Sequence, residues 1–258
     1  MIINGRQIAS EILEKLKRRT KPSKILAAVL VGNDPASISF LKQKEKTAAL
    51  LGINFRLYKF SAQISEKKLK SGIVKLNKNP QIGGIILQLP LPRKINREAV
   101  IHVLETKKDV DALRSSQLVL PPVVGVLKTI LENIHFNFKN KNAVVIGRGI
   151  LVGEPIAKWL RGRAKKLTVF HSRFFDKKIL KKADLVISGV GKAGLILGGD
   201  IKKGSVIIDF GYSFGQGKVS GDFDFESCRK KARFITPTPG GTGPILVAKL
   251  FENYYQLT

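Results

Sequence analysis

Cysteine occurs once, at Cys228, and methionine and tryptophan once each in 258 residues. A single thiol excludes an intrachain disulfide, and nothing points to an oxidising compartment. Histidine is nearly as scarce: His102, His135 and His171 stand far apart, with no cysteine or acid cluster of ligand type beside them, which argues against a metal site. No Walker lysine and no Gly-x-Ser-x-Gly elbow is present, so neither a P-loop ATPase nor a serine hydrolase is supported. No apolar run reaches membrane-spanning length, and Met1-Ile2-Ile3-Asn4-Gly5 lacks the charged head and apolar core of a leader. The expected location is the cytoplasm, without membrane contact. There is no internal repeat and no low-complexity linker.

Acids are also few. With 19 acidic against 46 basic residues the formal charge is +27, which attracts polyanions such as nucleotides, polyacidic metabolites or nucleic acid. The lysines are scattered through 15–17, 67–70, 177–182 and 202–203 rather than gathered in one arm. That distribution favours a solvated basic surface over a nucleic-acid stripe, leaving nucleic acid only weak, non-specific, salt-sensitive binding.

What is present is an alternation of helix and strand. Ile8, Ile12, Leu13 and Leu16 recur at helical spacing, and Ile25 to Val31 is a continuous buried-type strand ending at Gly32. A helix from Ser37 to Leu51, a strand near Phe55–Phe60, a helix carrying Leu69, Ile73 and Leu76 and the strand Gly84–Gln88 follow. This is the rhythm of a parallel sheet. Gly125 to Ile134 reads as a connecting helix, and Ala143-Val144-Val145-Ile146-Gly147 opens a second series with strands at Leu167–Phe170, Leu185–Val190, Val206–Phe210 and Phe234–Thr236. The last segment, Gly243 to Gln256, is a helix read as crossing back to the first lobe. The expected fold is therefore α/β in two lobes: a catalytic lobe of residues 1–120 plus 244–258 and a Rossmann-like, doubly wound nucleotide lobe of residues 121–243.

Three segments carry polar groups where chemistry sits. From Ser37, the spacings of Phe40, Leu41, Lys44 and Ala48 put all of them on one helical face, with Lys44 in the middle of it. Lys44 reads either as a snorkelling lysine at a domain edge or as a desolvated amine fit for proton transfer near neutral pH. Gln88 ends its strand at the carboxyl edge of the sheet, stiffened behind by Pro90 and Pro92. It either caps loop backbone or orients Lys44 without holding the lysine protonated, as a carboxylate would. Asp109 and Asp111 alternate, so one is expected to face the site and the other to support the loop. An inward Asp111 would accept hydrogen bonds from an amino-pyrimidine ring.

Gly147-Arg148-Gly149-Ile150-Leu151-Val152-Gly153 lies between a strand and a helix begun near Pro155, the context of a phosphate-binding turn, although the spacing is not G-x-G-x-x-G. Glycines there also serve turn conformation alone. Some twenty residues on, where an NAD site would place an acid, stands His171-Ser172-Arg173. Arg148, Ser172 and Arg173 offer donors for a 2′-phosphate, so NADP is preferred to NAD.

With these residues in hand, the chain resembles the bifunctional methylenetetrahydrofolate dehydrogenase/cyclohydrolase family over nearly its whole length. The matching segments are Val31 to Ser37, Gln88 to Pro92, Lys108 to Asp111, Val145 to Arg148, His171 to Arg173, Gly221-Asp222 and Thr236 to Pro244. The resemblance implies NADP-dependent oxidation of 5,10-methylenetetrahydrofolate and hydrolysis of the methenyl product to 10-formyltetrahydrofolate. It further implies folate partners, polyglutamylated forms among them, and a homodimer. Carried over by motif, Lys44 is similar to the family's catalytic lysine, Gln88 to its partner and Asp111 to the pterin-binding acid. Ser37, Phe40, Pro239, Gly240 and Gly241 fall at the substrate, and Gly147, Arg148, Gly149, Gly153, His171, Ser172, Arg173 and Thr242 at the cofactor. The chain departs from the family pattern at Phe40 for tyrosine, Leu246 for threonine, Gly149 for serine and Ala112 for glycine, and in a shortened stretch between Asp111 and Gly125. Hydrolysis, which needs a positioned water and a proton relay, is the activity more exposed to these changes. The alternatives are a dehydrogenase with weak or absent cyclohydrolase, or a non-catalytic folate, nucleotide or basic nucleic-acid binder on the same scaffold.

Overall fold

The computed structural model describes residues 1–114, 118–172, 174–215 and 217–258. Along the chain run α1 (Gly5–Lys17), β1 (Ile25–Val31), α2 (Pro35–Leu50), β2 (Phe55–Phe60), α3 (Glu66–Lys78), β3 (Ile82–Leu87) and α4 (Arg97–His102). They are followed by α5 (Pro122–Asn133), β4 (Asn142–Ile146), α6 (Gly153–Leu160), β5 (Lys166–Phe170), α7 (Lys177–Leu180), β6 (Leu185–Ser188) and β7 (Val206–Asp209). The hairpin β8 (Ser213–Gly215) and β9 (Lys218–Ser220), then α8 (Phe225–Arg229), β10 (Phe234–Ile235) and α9 (Thr242–Leu257) complete it. The fold is α/β with parallel sheets, as the alternation predicts. Among the described residues no helix is long and apolar enough to cross a membrane.

Two compact units form: Ser10–Pro122 with Val247–Thr258, and Met1–Ala9 with Val123–Leu246. The sequence-based division put residues 1–120 together. The structure instead groups the first nine residues with the nucleotide unit, because Ile3 N donates to Ile235 O at 2.9 Å and Ile235 N to Met1 O at 3.1 Å. A pairing over such a sequence separation leaves no local trace in the chain.

In the unit of residues 10–122 and 247–258, three parallel strands run in the order β2-β1-β3. β1 is central and every residue in it is buried, which is why it reads as an unbroken apolar run, while β2 at an edge has no fully buried residue. α2 starts where Asp34 accepts Ser37 N at 2.8 Å and Pro35 occupies the first turn, a cap worth about 1 kcal/mol. Gly84 in β3 lets the chain pack tightly over the sheet: a β-carbon there would stand 2.7 Å from both Val110 Cγ1 and Tyr254 Cδ2. No side chain beyond glycine fits that spacing.

The other unit holds five parallel strands in the order β10-β7-β6-β4-β5. β4 pairs with β5 on one side and β6 on the other, so the strand order reverses at its carboxyl end. Ligands of open α/β sheets bind at such a reversal. Val144, Ile146, Val186 and Ile207 form part of the core beneath it, together with Cys228, a small buried hydrophobe.

Candidate active site

Lys44 stands on the inward face of α2 with Ser37, Leu41 and Ala48, all three of which are buried. Its Nζ donates to Gln88 Oε1 at 3.1 Å. Gln88 follows β3 directly, its backbone N held by Val29 O at 3.0 Å and its side-chain Nε2 turned to Leu89 O at 2.9 Å. Ser37, expected at the substrate, is buried, and its hydroxyl donates to the same Leu89 O at 3.4 Å. It braces the Gln88 loop from within α2. Phe40 is half-buried one turn before Lys44. Burial lowers the Lys44 pKa, and the Asp111 charge raises it again in part. The side chain is thus an amine that holds its proton less tightly than a solvated lysine does, bonded to an amide that does not compete for that proton.

Asp111 answers with the opposite shift: burial raises its pKa and Lys44 lowers it. The alternation expected of the two acids is present. Asp111 is half-buried, while Asp109 is fully buried and supports the loop, its Oδ2 accepting Arg114 N at 2.9 Å. Burial pushes the Asp109 carboxyl up to about 6, with the Arg114 amide lowering it and the Asp111 charge raising it. Among the described residues no donor reaches Asp109 Oδ1. Lys108, in the same motif, is structural: its Nζ donates to the carbonyls of Leu76 (3.4 Å), Asn77 and Asn79 (2.9 Å) at the end of α3.

In the nucleotide unit the turn after β4 is built on two glycines. Gly147 has φ +103°, and a β-carbon on Gly153 would lie 2.0 Å from Gly147 O, so α6 begins in direct backbone contact with the strand end. A β-carbon on Gly149 meets nothing within 4 Å, leaving open space over the turn. Arg148 is exposed beside it, with Nη2 donating to Val169 O at 3.1 Å. The hydroxyl of Ser172 lies 3.5 Å from His171 Nδ1. Arg173 lies outside the described residues. An open glycine turn with an exposed guanidinium at a topological switch point suits a dinucleotide that bears an extra phosphate. The described residues contain no group of three or more His, Cys, Asp or Glu that would hold a metal ion.

Pro239, Gly240 and Gly241 form a tight turn, with Gly240 at φ +98° and a β-carbon on Gly241 only 2.4 Å from Pro237 O. Thr242, expected at the cofactor, is buried at the head of α9, and its hydroxyl donates to Asp209 O at 2.7 Å. Sequence reasoning gave no role to Asp209 and Asp222, two of the buried acids of this unit. Asp222 accepts Ser188 Oγ (2.6 Å), Val190 N (2.7 Å) and Lys192 N (2.8 Å), tying down the loop after β6. Asp209 accepts Gly211 N (2.7 Å), Asp222 N (3.2 Å) and Phe223 N (3.1 Å). Burial pushes it up to about 7 against those amides, with Asp222 adding to the rise. An acid closing the apolar run Val206–Asp209 was the one sequence signal available for it.

The chain matches two family models. One, described as tetrahydrofolate dehydrogenase/cyclohydrolase, catalytic domain, covers residues 3–111, and one described as tetrahydrofolate dehydrogenase/cyclohydrolase, NAD(P)-binding domain, covers residues 122–258. The bifunctional protein FolD of Bacillus licheniformis is 38% identical over 258 residues, covering 96% of this chain and 90% of that protein. The bifunctional protein FolD of Moorella thermoacetica is 38% identical over 269 residues, with 98% and 96% covered. Among solved structures, the bifunctional methylenetetrahydrofolate dehydrogenase/cyclohydrolase of Campylobacter jejuni has a TM-score of 0.93 at 32% identity, covering 100% of this chain and 98% of that one. The Trypanosoma brucei methylenetetrahydrofolate dehydrogenase-cyclohydrolase, solved with NADP and an inhibitor, has a TM-score of 0.93 at 29% identity, covering 100% and 96%.

Proposed function

This chain belongs to the tetrahydrofolate dehydrogenase/cyclohydrolase family, and from that membership and its site we propose that it oxidises 5,10-methylenetetrahydrofolate with NADP and hydrolyses the 5,10-methenyl product to 10-formyltetrahydrofolate. The observation that carries the assignment to this chain's own residues is the 3.1 Å bond from the half-buried Lys44 amine to the Gln88 amide. Asp111 orients the pterin through its amino-pyrimidine edge, and its charge keeps Lys44 able to hold a proton. In the hydrolytic step, water adds to the methenyl carbon, the adduct gives up one proton, and the bond from that carbon to N5 breaks as the remaining hydroxyl proton passes to N5, which leaves the formyl group on N10. Lys44 accepts the departing proton and Gln88 fixes the amine toward it. Phe40 presents an aromatic ring to the folate without a phenol. NADP, when bound, supplies the hydride acceptor. Gly147, Gly149 and Gly153 admit its phosphates to the start of α6, and Arg148, Ser172 and Arg173 are assigned to the 2′-phosphate.

The same reading takes in Pro239, Gly240 and Gly241 as a wall of the substrate site, as well as a homodimer and a cytoplasmic location. Polyglutamylated folates suit the formal charge of +27. A spectrophotometric assay with methylenetetrahydrofolate and NADP tests it. The expected result is NADPH formation, passage of the methenyl absorbance to the formyl product, and loss of hydrolysis in Lys44→Met. Absence of NADPH formation by the purified wild-type protein overturns the assignment.

A further inference from the structure

The carboxylate assigned to the pterin sits in a stretch of chain fastened at both ends by one amide of α9. Asn253, 7% exposed in α9, donates through Nδ2 to Val110 O at 2.9 Å and to Leu120 O at 2.8 Å. Both protons of that nitrogen are thereby committed, one to each end of the 110–120 segment. One helical step further, Gln256 Nε2 donates to Leu118 O at 3.0 Å. Val110, the residue before Asp111, is fully buried over Gly84, so its carbonyl is fixed by the sheet beneath and by Asn253 from the helix. Asp109, the residue before that, bridges to Ile85 of β3.

We propose that Asn253 is a positioning residue for the folate: its two hydrogen bonds fix the backbone from which Asp111 projects, and so set the carboxylate against both the pterin and Lys44. This rests on the assignment of Asp111 to the pterin. A misplacement of about 1 Å at a binding group costs on the order of a hundredfold in rate. The bonds of Asn253 run to Val110 O and Leu120 O, so its role is exerted on the backbone that carries Asp111.

The test is a double-mutant cycle read by folate affinity. Titration with 5-formyltetrahydrofolate gives a Kd without turnover, and steady-state kinetics gives KM for each substrate. Asn253→Ala is expected to weaken folate binding and raise the folate KM by about tenfold while the NADP KM stays within about twofold. In an Asp111→Asn background the same substitution is expected to change folate Kd by less than about twofold, because coupled residues are not additive. A purely structural asparagine would lower the melting temperature and leave folate KM unchanged, or carry the same penalty in both backgrounds; either result overturns the proposal. Asn253→Ser keeps one donor and serves if the alanine variant does not fold, with an intermediate loss of folate affinity expected. A wild type that binds folate but forms no NADPH would sink the functional reading, while the cycle on folate Kd would still judge Asn253.

Discussion

Lys44 Nζ and Gln88 Oε1 meet at 3.1 Å, and the amide's own donor is turned away to Leu89 O at 2.9 Å, so what Gln88 offers the amine is an acceptor without charge. An amide at this position leaves the burial-driven fall in the Lys44 pKa intact. Gln88→Glu sets a carboxylate there and favours the ammonium, by about one to three pH units. The limb of the pH–rate profile that requires neutral Lys44 should move to higher pH, with hydrolysis lost on its acid side and recovered as pH rises. An unchanged profile in the variant would remove Lys44 from proton transfer.

Arg148 carries the cofactor prediction. Its guanidinium is exposed at the glycine turn, with one bond to Val169 O at 3.1 Å. A charge-assisted contact to a 2′-phosphate is worth about 1.5–3 kcal/mol, so Arg148→Gln should raise the NADP KM by at least about tenfold. The NAD KM, with no phosphate to lose, should stay where it was. Equal effects on both dinucleotides would assign Arg148 to the turn rather than to the phosphate.

Asp109 predicts a stability profile. Its carboxyl rises from an ordinary 3.8 to about 6 on folding, so between those values the native state binds more protons than the unfolded chain. Stability from this group is therefore present at pH 4 and falls as pH rises toward 6, by at most about 3 kcal/mol. Asp109→Asn keeps an acceptor for Arg114 N and cannot ionise. Denaturant melts should show the variant gaining on the wild type from pH 4 to pH 7; a pH-independent difference would mean that Asp109 is already charged in the fold at pH 4.

Two glycines four residues apart should behave oppositely. Gly153→Ala drives a methyl to 2.0 Å from Gly147 O, whereas Gly149→Ala meets nothing within 4 Å. Opening the first contact should cost about 2 kcal/mol or more and weaken NADP binding, while the second substitution should fall within about 0.5 kcal/mol of wild type. Thermal melts with and without NADP check both.

The parts of this site legible in the sequence are those whose period is local. The buried run Ile25–Val31 reads as a strand from its unbroken apolar residues, and the face shared by Ser37, Phe40, Leu41, Lys44 and Ala48 follows from spacing, because helix geometry fixes which residues share a side. Gln88 at the end of an apolar run was legible for the same reason. What fixes those groups in place was not. Nothing in the sequence marks the bond of the Ser37 hydroxyl to Leu89 O, or those of the Asn253 amide to Val110 O and Leu120 O. These bonds join residues distant in the chain, and a polar side chain carries no sign of which distant carbonyl it will meet. Asp209 and Asp222 escaped likewise, since their value lies in the loop amides they gather.

The unit that holds Lys44 is discontinuous, residues 10–122 closed by residues 247–258. During translation its sheet leaves the ribosome well before the helix that bears Asn253 and Tyr254. At ~5–20 residues per second, the chain between them takes on the order of ten seconds to make. Throughout that interval the backbone around Gly84 lacks the Tyr254 ring that covers it in the finished protein. The nucleotide unit, complete by residue 246, is thus the part able to fold first on the ribosome, and the Lys44 unit is the part a nascent-chain chaperone would need to shield.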